Sequence, residues 1–147
     1  MMIFGVMMIT ISTILFDQMV AHAQADAPHE CCGGLLGTVD NGRKIVTQVV
    51  PIQNNWVDSN TENKTRRFRI TATDYRQLES TAKQQRILLL GFYHSHPDHP
   101  PIPSQTDYQY AWPFFSYPIL SLKDGVFDAV RSYTLLDERL VEEPLTK

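Results

Sequence analysis

The apolar run Ile87-Leu88-Leu89-Leu90-Gly91-Phe92-Tyr93 leads without a break into His94-Ser95-His96-Pro97. A run of that composition reads as a buried strand. Side chains alternate across a strand, so a strand that continues to His96 puts His94 and His96 on one face and turns Ser95 away from it. Two imidazoles on one face are a means of presenting ligands to one metal ion. Asp107 follows closely enough to complete a set of three, which leaves a fourth position for water. Three protein ligands plus water describe catalytic zinc, whereas structural zinc is closed by four protein ligands. Ser104-Gln105-Thr106-Asp107 also reads as a helix start, with Ser104 as N-cap and Asp107 in the first turn. The two readings are compatible, because a capped helix start is a rigid mount for a ligand.

The 147 residues suit one domain with a core of its own. A hydrophobic content of 43% with 20% charged residues is that of an ordinary globular chain. A net charge of -3 gives no footprint for nucleic acid. The longest basic run, Lys64-Thr65-Arg66-Arg67-Phe68-Arg69, is short and reads as a solvated loop that could contact an acidic partner. Cys31 and Cys32 are adjacent, so they cannot staple a small fold and read as core residues. A reducing, cytoplasmic setting follows as the expectation.

The first sixteen residues are apolar, and Ala21-His22-Ala23 imitates a cleavage site for a secretory leader. No Lys or Arg precedes the apolar run, and the segment has a structural use. Met8-Ile9-Thr10-Ile11 alternates as a strand does. Ser12 or Thr13 can then cap a helix to about Ala27, where Pro28 stops it. Phe16, Val20, Ala23 and Ala27 recur at helical spacing on that helix. Asp17 and Gln18 interrupt the apolar stretch, so a membrane-spanning helix is not expected.

Further along, residues 34–39 and 43–50 read as a hairpin around Asp40-Asn41-Gly42. Residues 53–67 read as a long polar loop, and loops of that length inside compact domains are often functional. A short strand is expected at 68–70 and a helix at 74–86, with Tyr75, Leu78 and Ala82 on its buried stripe. The central strand at 87–93 precedes a loop, 97–103, that holds four prolines and is thereby restricted in conformation. A helix from Ser104 ends before Pro113. Strands at 117–122 and 129–135 complete the sheet, with Pro118 suggesting an edge position or a later strand start. Residues 137–147 read as a tail. The mixed order predicts an α/β sheet flanked by helices.

The spacing of His94-Ser95-His96-Pro97, Ser104 and Asp107 resembles the JAMM signature of the MPN+ zinc metallopeptidases, with no gap and no substitution. Pro28-His29-Glu30-Cys31-Cys32-Gly33-Gly34-Leu35-Leu36-Gly37 looks like that family's glutamate segment. Gly91-Phe92-Tyr93, Ala111-Trp112-Pro113 and Ser116-Tyr117 resemble its small prokaryotic branch. The resemblance covers about residues 9–135. It implies a single MPN domain of cytidine-deaminase-like architecture over residues 7–136, with residues 1–6 as a possible extension. It implies Zn2+ held by His94, His96 and Asp107, Glu30 as general base and Ser104 as oxyanion donor. The implied reaction is hydrolysis of peptide or isopeptide bonds at the C-terminal Gly-Gly tail of ubiquitin-like or sulfur-carrier proteins. Some MPN proteins lack metal ligands and serve only as scaffolds. The presence of all five residues here speaks against that alternative.

Overall fold

The computed structural model describes residues 8–59 and 63–147, so the possible extension at residues 1–6 lies outside the described residues. Strand β1 (Met8–Thr10) leads into helix α1 (Thr13–Asp26), and the hairpin strands β2 (Cys32–Asp40) and β3 (Arg43–Ile52) follow. Helix α2 (Ala72–Gln84), strand β4 (Leu88–Pro97) and the short helix α3 (Gln105–Gln109) carry the chain to β5 (Ser116–Lys123) and β6 (Val126–Leu136). Strands β7 (Arg139–Glu143) and β8 (Leu145–Thr146) end it.

The expected local signals operate. Ser12 caps α1 by accepting the amide of Leu15 at 3.4 Å, and the helix ends at Ala27 before Pro28. Asn41 and Gly42 both take positive φ, 50° and 75°, which is the backbone a two-residue hairpin turn requires. Helix α2 starts two residues earlier than expected, because Thr71 and Asp74 form a reciprocal capping box.

The eight strands form one sheet in the order β7-β6-β5-β4-β2-β3-β1-β8. Only Pro144 separates the two end strands in sequence. β7 pairs with β6 and β8 pairs with β1, and the amide of Ile9 donates to the carbonyl of Pro144 at 3.0 Å. Residues 137–147 are therefore not a tail. They supply the strands at both ends of the strand order. The expectation failed because a strand that pairs at two distant places carries no local hydrophobic signature.

Two other expectations also need correction. Residues 68–70 form no strand and run as irregular chain beside the cleft described below. Pro118 sits on an interior strand. β4 and β5 pair at Gly91↔Ser116 and resume at His94↔Ile119, and the proline falls in that interval. On that side no ladder bond is asked of a residue without an amide proton, while on the other side Pro118 stays in register with Ser132 of β6.

The sheet buries both faces. On one, α1 packs Phe16, Met19 and Ala23 against Leu35, Leu90, Tyr93 and Leu120. Tyr93 also shares a 2.7 Å hydrogen bond with Nδ1 of His22, whose Nε2 lies 3.3 Å from Asp26. On the other face, α2 packs Leu78 and Ala82 against Leu36, Leu89 and Phe92. Gly33 and Gly34 let both layers approach. A Cβ on Gly33 would strike the ring of Tyr93, and one on Gly34 would strike Leu78. Both Cys31 and Cys32 are free thiols with no exposed surface, as a core reading requires.

Two ionisable side chains, one from β3 and one from β7, are also buried. Lys44 of β3 donates to the hydroxyl of Ser116 at 2.9 Å and to the carbonyl of Phe114, while Glu143 of β7 accepts from Ser132 at 2.8 Å. Both side chains are almost fully buried, at 1% and 2% exposure. Burial pulls the Lys44 ammonium down to about 8, and the charge of Glu143 opposes that pull. Burial likewise raises the Glu143 carboxyl. Glu143→Ala should cost about 1–3 kcal/mol, because it leaves the buried Ser132 hydroxyl without its acceptor. Urea unfolding of the variant measures this. A loss near zero would mean that the Glu143 carboxyl does not help to hold this end of the sheet.

Candidate active site

The β2–β4 pairing builds the site. Cys32 pairs with His94 in antiparallel register, and the amide of Ser95 donates to the carbonyl of Cys31 at 3.1 Å. One step further along that register brings Glu30 beside His96. Alternation puts Glu30, His94 and His96 on the face that carries Phe92 and α2. Ser95 points to the other face, where its hydroxyl accepts the amide of Cys31 at 2.8 Å. The residue between the two histidines thus pins the chain that carries the glutamate.

Helix α3 supplies the third member. Ser104 and Asp107 form a capping box: the Asp107 amide donates to Ser104 Oγ at 3.1 Å, and the Ser104 amide donates to Asp107 Oδ2 at 2.8 Å. The same carboxylate reaches both histidines. Its Oδ1 lies 3.2 Å from Nε2 of His94 and its Oδ2 lies 3.3 Å from Nε2 of His96. The two Nε2 atoms are 3.1 Å apart. A tetrahedral ion with bonds of about 2.0–2.1 Å has ligand-to-ligand edges of about 3.3 Å. The contacts to the two histidines use different carboxylate oxygens, so one ligand atom from each residue makes a looser set, all within 4.8 Å of one another, that could hold a metal ion with a small adjustment. Nδ1 of His96 lies 2.9 Å from the carbonyl of Pro100. Donation from that nitrogen fixes the tautomer that leaves Nε2 free to ligate. Phe68 stacks on the ring of His94 at 4.5 Å between centroids.

Burial sets the charge states. It pulls the His94 imidazole down, and the neighbouring Asp107 offsets this only in part. Burial acts on His96 in the same direction, but hydrogen bonds to Asp107 and Pro100 and the charge of Glu30 outweigh it, so His96 is raised. Burial would raise Asp107, yet the two histidines and the Ser104 amide hold it well below the usual carboxylate range. Glu30 is only 4% exposed, and burial pushes it up to about 8, against the lowering effect of His96, Arg67 and Arg66.

These groups open onto a cleft of about 580 Å³ whose walls include Trp56, Phe68, Tyr110, Trp112, Ser104 and three arginines, Arg66, Arg67 and Arg69. All five residues singled out in the sequence lie in or beside it. His99 is not part of the His94, His96 and Asp107 cluster, and its carbonyl accepts from Ser121. Sequence reasoning missed Asn54, a side chain buried to 8% exposure. Its Nδ2 donates to the carbonyls of Glu30 and Arg67, both at 2.9 Å, and its Oδ1 accepts the amides of Trp56 at 3.0 Å and Arg69 at 3.2 Å. Its only signal was its place in a long polar loop.

Residues 12–135 match the family described as prokaryotic homologs of the JAB domain. The chain belongs to that family. It is 28% identical over 141 residues to the CysO-cysteine peptidase of Mycobacterium tuberculosis, covering 95% of this chain and 91% of that one. It is 33% identical over 110 residues to the desampylase of Haloferax volcanii, covering 71% and 74%. Among solved structures, a protein from Desulfitobacterium hafniense superposes with a TM-score of 0.73 at 30% identity, over 93% of this chain and 90% of that one. A JAB1/MPN domain protein from Archaeoglobus fulgidus shares the fold, with a TM-score of 0.57 at 16% identity over 97% and 99% of the two chains. The MPN fold expected from the motif set is thus the fold of this family. Among the described residues, no helix is long and apolar enough to cross a membrane.

The charge state of Glu30 has a thermodynamic consequence. Its folded value of about 8 lies above the ordinary 4.5. Its contribution to stability is therefore fully present below 4.5 and is lost as pH rises through about 8. Metal-free wild type, kept in chelator, should lose stability across that window more steeply than Glu30→Gln. Thermal denaturation of both at several pH values checks this. Parallel curves would mean that burial does not hold Glu30 in its acid form.

Proposed function

We propose that this chain is a zinc-dependent JAB-type peptidase. It cuts peptide or isopeptide bonds after the C-terminal Gly-Gly tail of a ubiquitin-like or sulfur-carrier protein. The observation that carries the reading is the cluster of His94, His96 and Asp107, whose ligand atoms lie within 4.8 Å of one another, beside a buried glutamate on the same face. The peptidase and desampylase relatives support the reaction class and the kind of substrate. The buried free thiols of Cys31 and Cys32 suit a reducing compartment, and a cytoplasmic place belongs to the same proposal.

His94, His96 and Asp107 would hold the ion. Bound zinc supplies a Lewis acid that polarises the scissile carbonyl and brings the pKa of water toward ~7. Glu30 accepts the proton of the attacking water and delivers it to the leaving amine. Its burial suits a group that must hold a proton between the two transfers. Ser104 Oγ already accepts the Asp107 amide, so its own hydroxyl proton is left to donate to the developing oxyanion. Glycines next to the cut bond let a substrate backbone come close between the aromatic walls of the cleft.

Purified protein should carry one zinc per chain, lost on His94→Ala or His96→Ala, as elemental analysis would read. A folded, unchelated wild type without metal favours the scaffold alternative. Glu30→Gln should keep zinc and lose turnover. Ser104→Ala should lower turnover by ~100-fold or more, with stability measured alongside because a lost N-cap costs about 1 kcal/mol. Val-Val in place of the tail glycines should block cleavage. Equal rates on Gly-Gly and Val-Val tails would sink the substrate assignment and leave the hydrolase standing.

A further inference from the structure

Strand β2 begins two residues after Glu30, at Cys32, which pairs with His94 of β4 and with Ile52 of β3. Cys31 is still held by β4: its carbonyl accepts the Ser95 amide and its own amide donates to the Ser95 hydroxyl. The backbone of Glu30 is held differently. Its amide donates to the carbonyl of Lys64 at 2.6 Å, and its carbonyl accepts Nδ2 of Asn54 at 2.9 Å. Both partners belong to the loop between β3 and α2. The residue proposed to carry the proton is therefore placed by that loop and not by the sheet ladder.

Asn54 stands where the ladder would have continued. Cys32 faces Ile52 and Gly33 faces Pro51 in antiparallel register, so two residues beyond Cys32 the same register sets Asn54 across from Glu30. There a side chain takes the place of a backbone partner. Nδ2 donates to the carbonyls of Glu30 and Arg67, and Oδ1 accepts the amides of Trp56 and Arg69. Two donors and two lone pairs are the whole capacity of an asparagine side chain. All four bonds end on backbone atoms, and none of them goes to His94, His96 or Asp107. Asn54 thus joins Glu30 to the stretches that carry Trp56, Phe68 and Arg69 of the cleft wall.

The bonds have two directions with different consequences. The donor side fixes the Glu30 carbonyl, and the acceptor side shapes the wall. A proton carrier works only within hydrogen-bond reach of the water it serves, about 2.6–3.2 Å. A misplacement of about 1 Å, caused from outside the reacting groups, costs about 100-fold in rate.

We propose that Asn54 is the positioning residue for Glu30, and that its Nδ2 bond to the Glu30 carbonyl sets the rate of the chemical step without contributing to metal binding. This rests on the peptidase reading above. A brace that served stability alone would lower Tm and leave kcat where it was.

Two substitutions separate the two directions, in zinc-loaded full-length enzyme acting on a carrier with an extended Gly-Gly tail. Asn54→Asp keeps the shape and both acceptor contacts, but its carboxylate has no proton to give to the Glu30 carbonyl. Asn54→Ala loses all four bonds. Both should retain zinc and lower kcat by about 100-fold. KM should stay at the wild-type value in Asn54→Asp and rise in Asn54→Ala. In zinc-free protein, NMR should show the Glu30 amide exchanging about 10-fold faster in both variants. The Ser95 amide, bonded to Cys31, should stay protected. Glu143→Ala, on β7, supplies a loss of stability of its own and should keep kcat. A wild-type kcat in either folded variant, a change in KM alone, loss of zinc, unaltered exchange at Glu30, or an equal fall of kcat in Glu143→Ala overturns the inference and leaves the peptidase reading standing. A wild type that cleaves no such carrier overturns the peptidase reading, and this inference with it.

Discussion

The antiparallel pairing of Cys32 with His94 is the contact on which the site depends. It places the residue two positions before Cys32 beside the residue two positions after His94, which brings Glu30 to His96. Alternation then turns all three functional side chains to one face. Ser95 locks the arrangement from the opposite face by accepting the Cys31 amide. A slip of one residue would turn Glu30 away from the histidines and into the core under α1, where an ionisable carboxylate has no partner. The apolar residues that interleave with the site, Cys31, Tyr93 and Phe92, specify the register because each must reach its own core.

Electrostatics give that arrangement its character. A buried carboxylate alone is costly, and burial holds Glu30 near pH 8 rather than 4.5. Asp107 responds oppositely because it faces two imidazoles and a helix-start amide. Two carboxylates are thus held in different charge states by their surroundings, which under the proposed function suits one to ligation and the other to proton transfer. Arg67 and Arg66 on the cleft wall act on Glu30 in the lowering direction. Asn54 keeps that wall and Glu30 in a fixed relation.

The rest of the sheet exists to hold β2 and β4 still. Both are interior strands, covered by α1 on one side and by α2 on the other. β7 and β8 extend the sheet at its two ends, and Lys44 of β3 and Glu143 of β7 are both buried. The proline-rich loop after Pro97 then has a firm base from which to carry Ser104 and Asp107 back to the histidines. The Pro100 carbonyl against His96 joins that loop to the ligand it serves.

The sequence by itself determined the local facts. His94 and His96 share a face because a strand has a period of two. Ser104 and Asp107 cap a helix because three residues separate an N-cap from its partner. The first helix and the 40–42 turn were readable for the same reason, since each is decided within a few residues. The match of spacing to a known family added Glu30, which no local pattern marks. Tertiary structure alone decided what depends on distant partners. Residues 137–147 became strands because two edges awaited them, Pro118 found an interior place where no ladder bond was needed, and Phe68 left the expected strand to stack on His94. Asn54 and the arginine wall belong to the same class. A polar loop gains a role only when the fold sets its backbone against another segment, and no period or propensity in residues 53–69 encodes which segment that is.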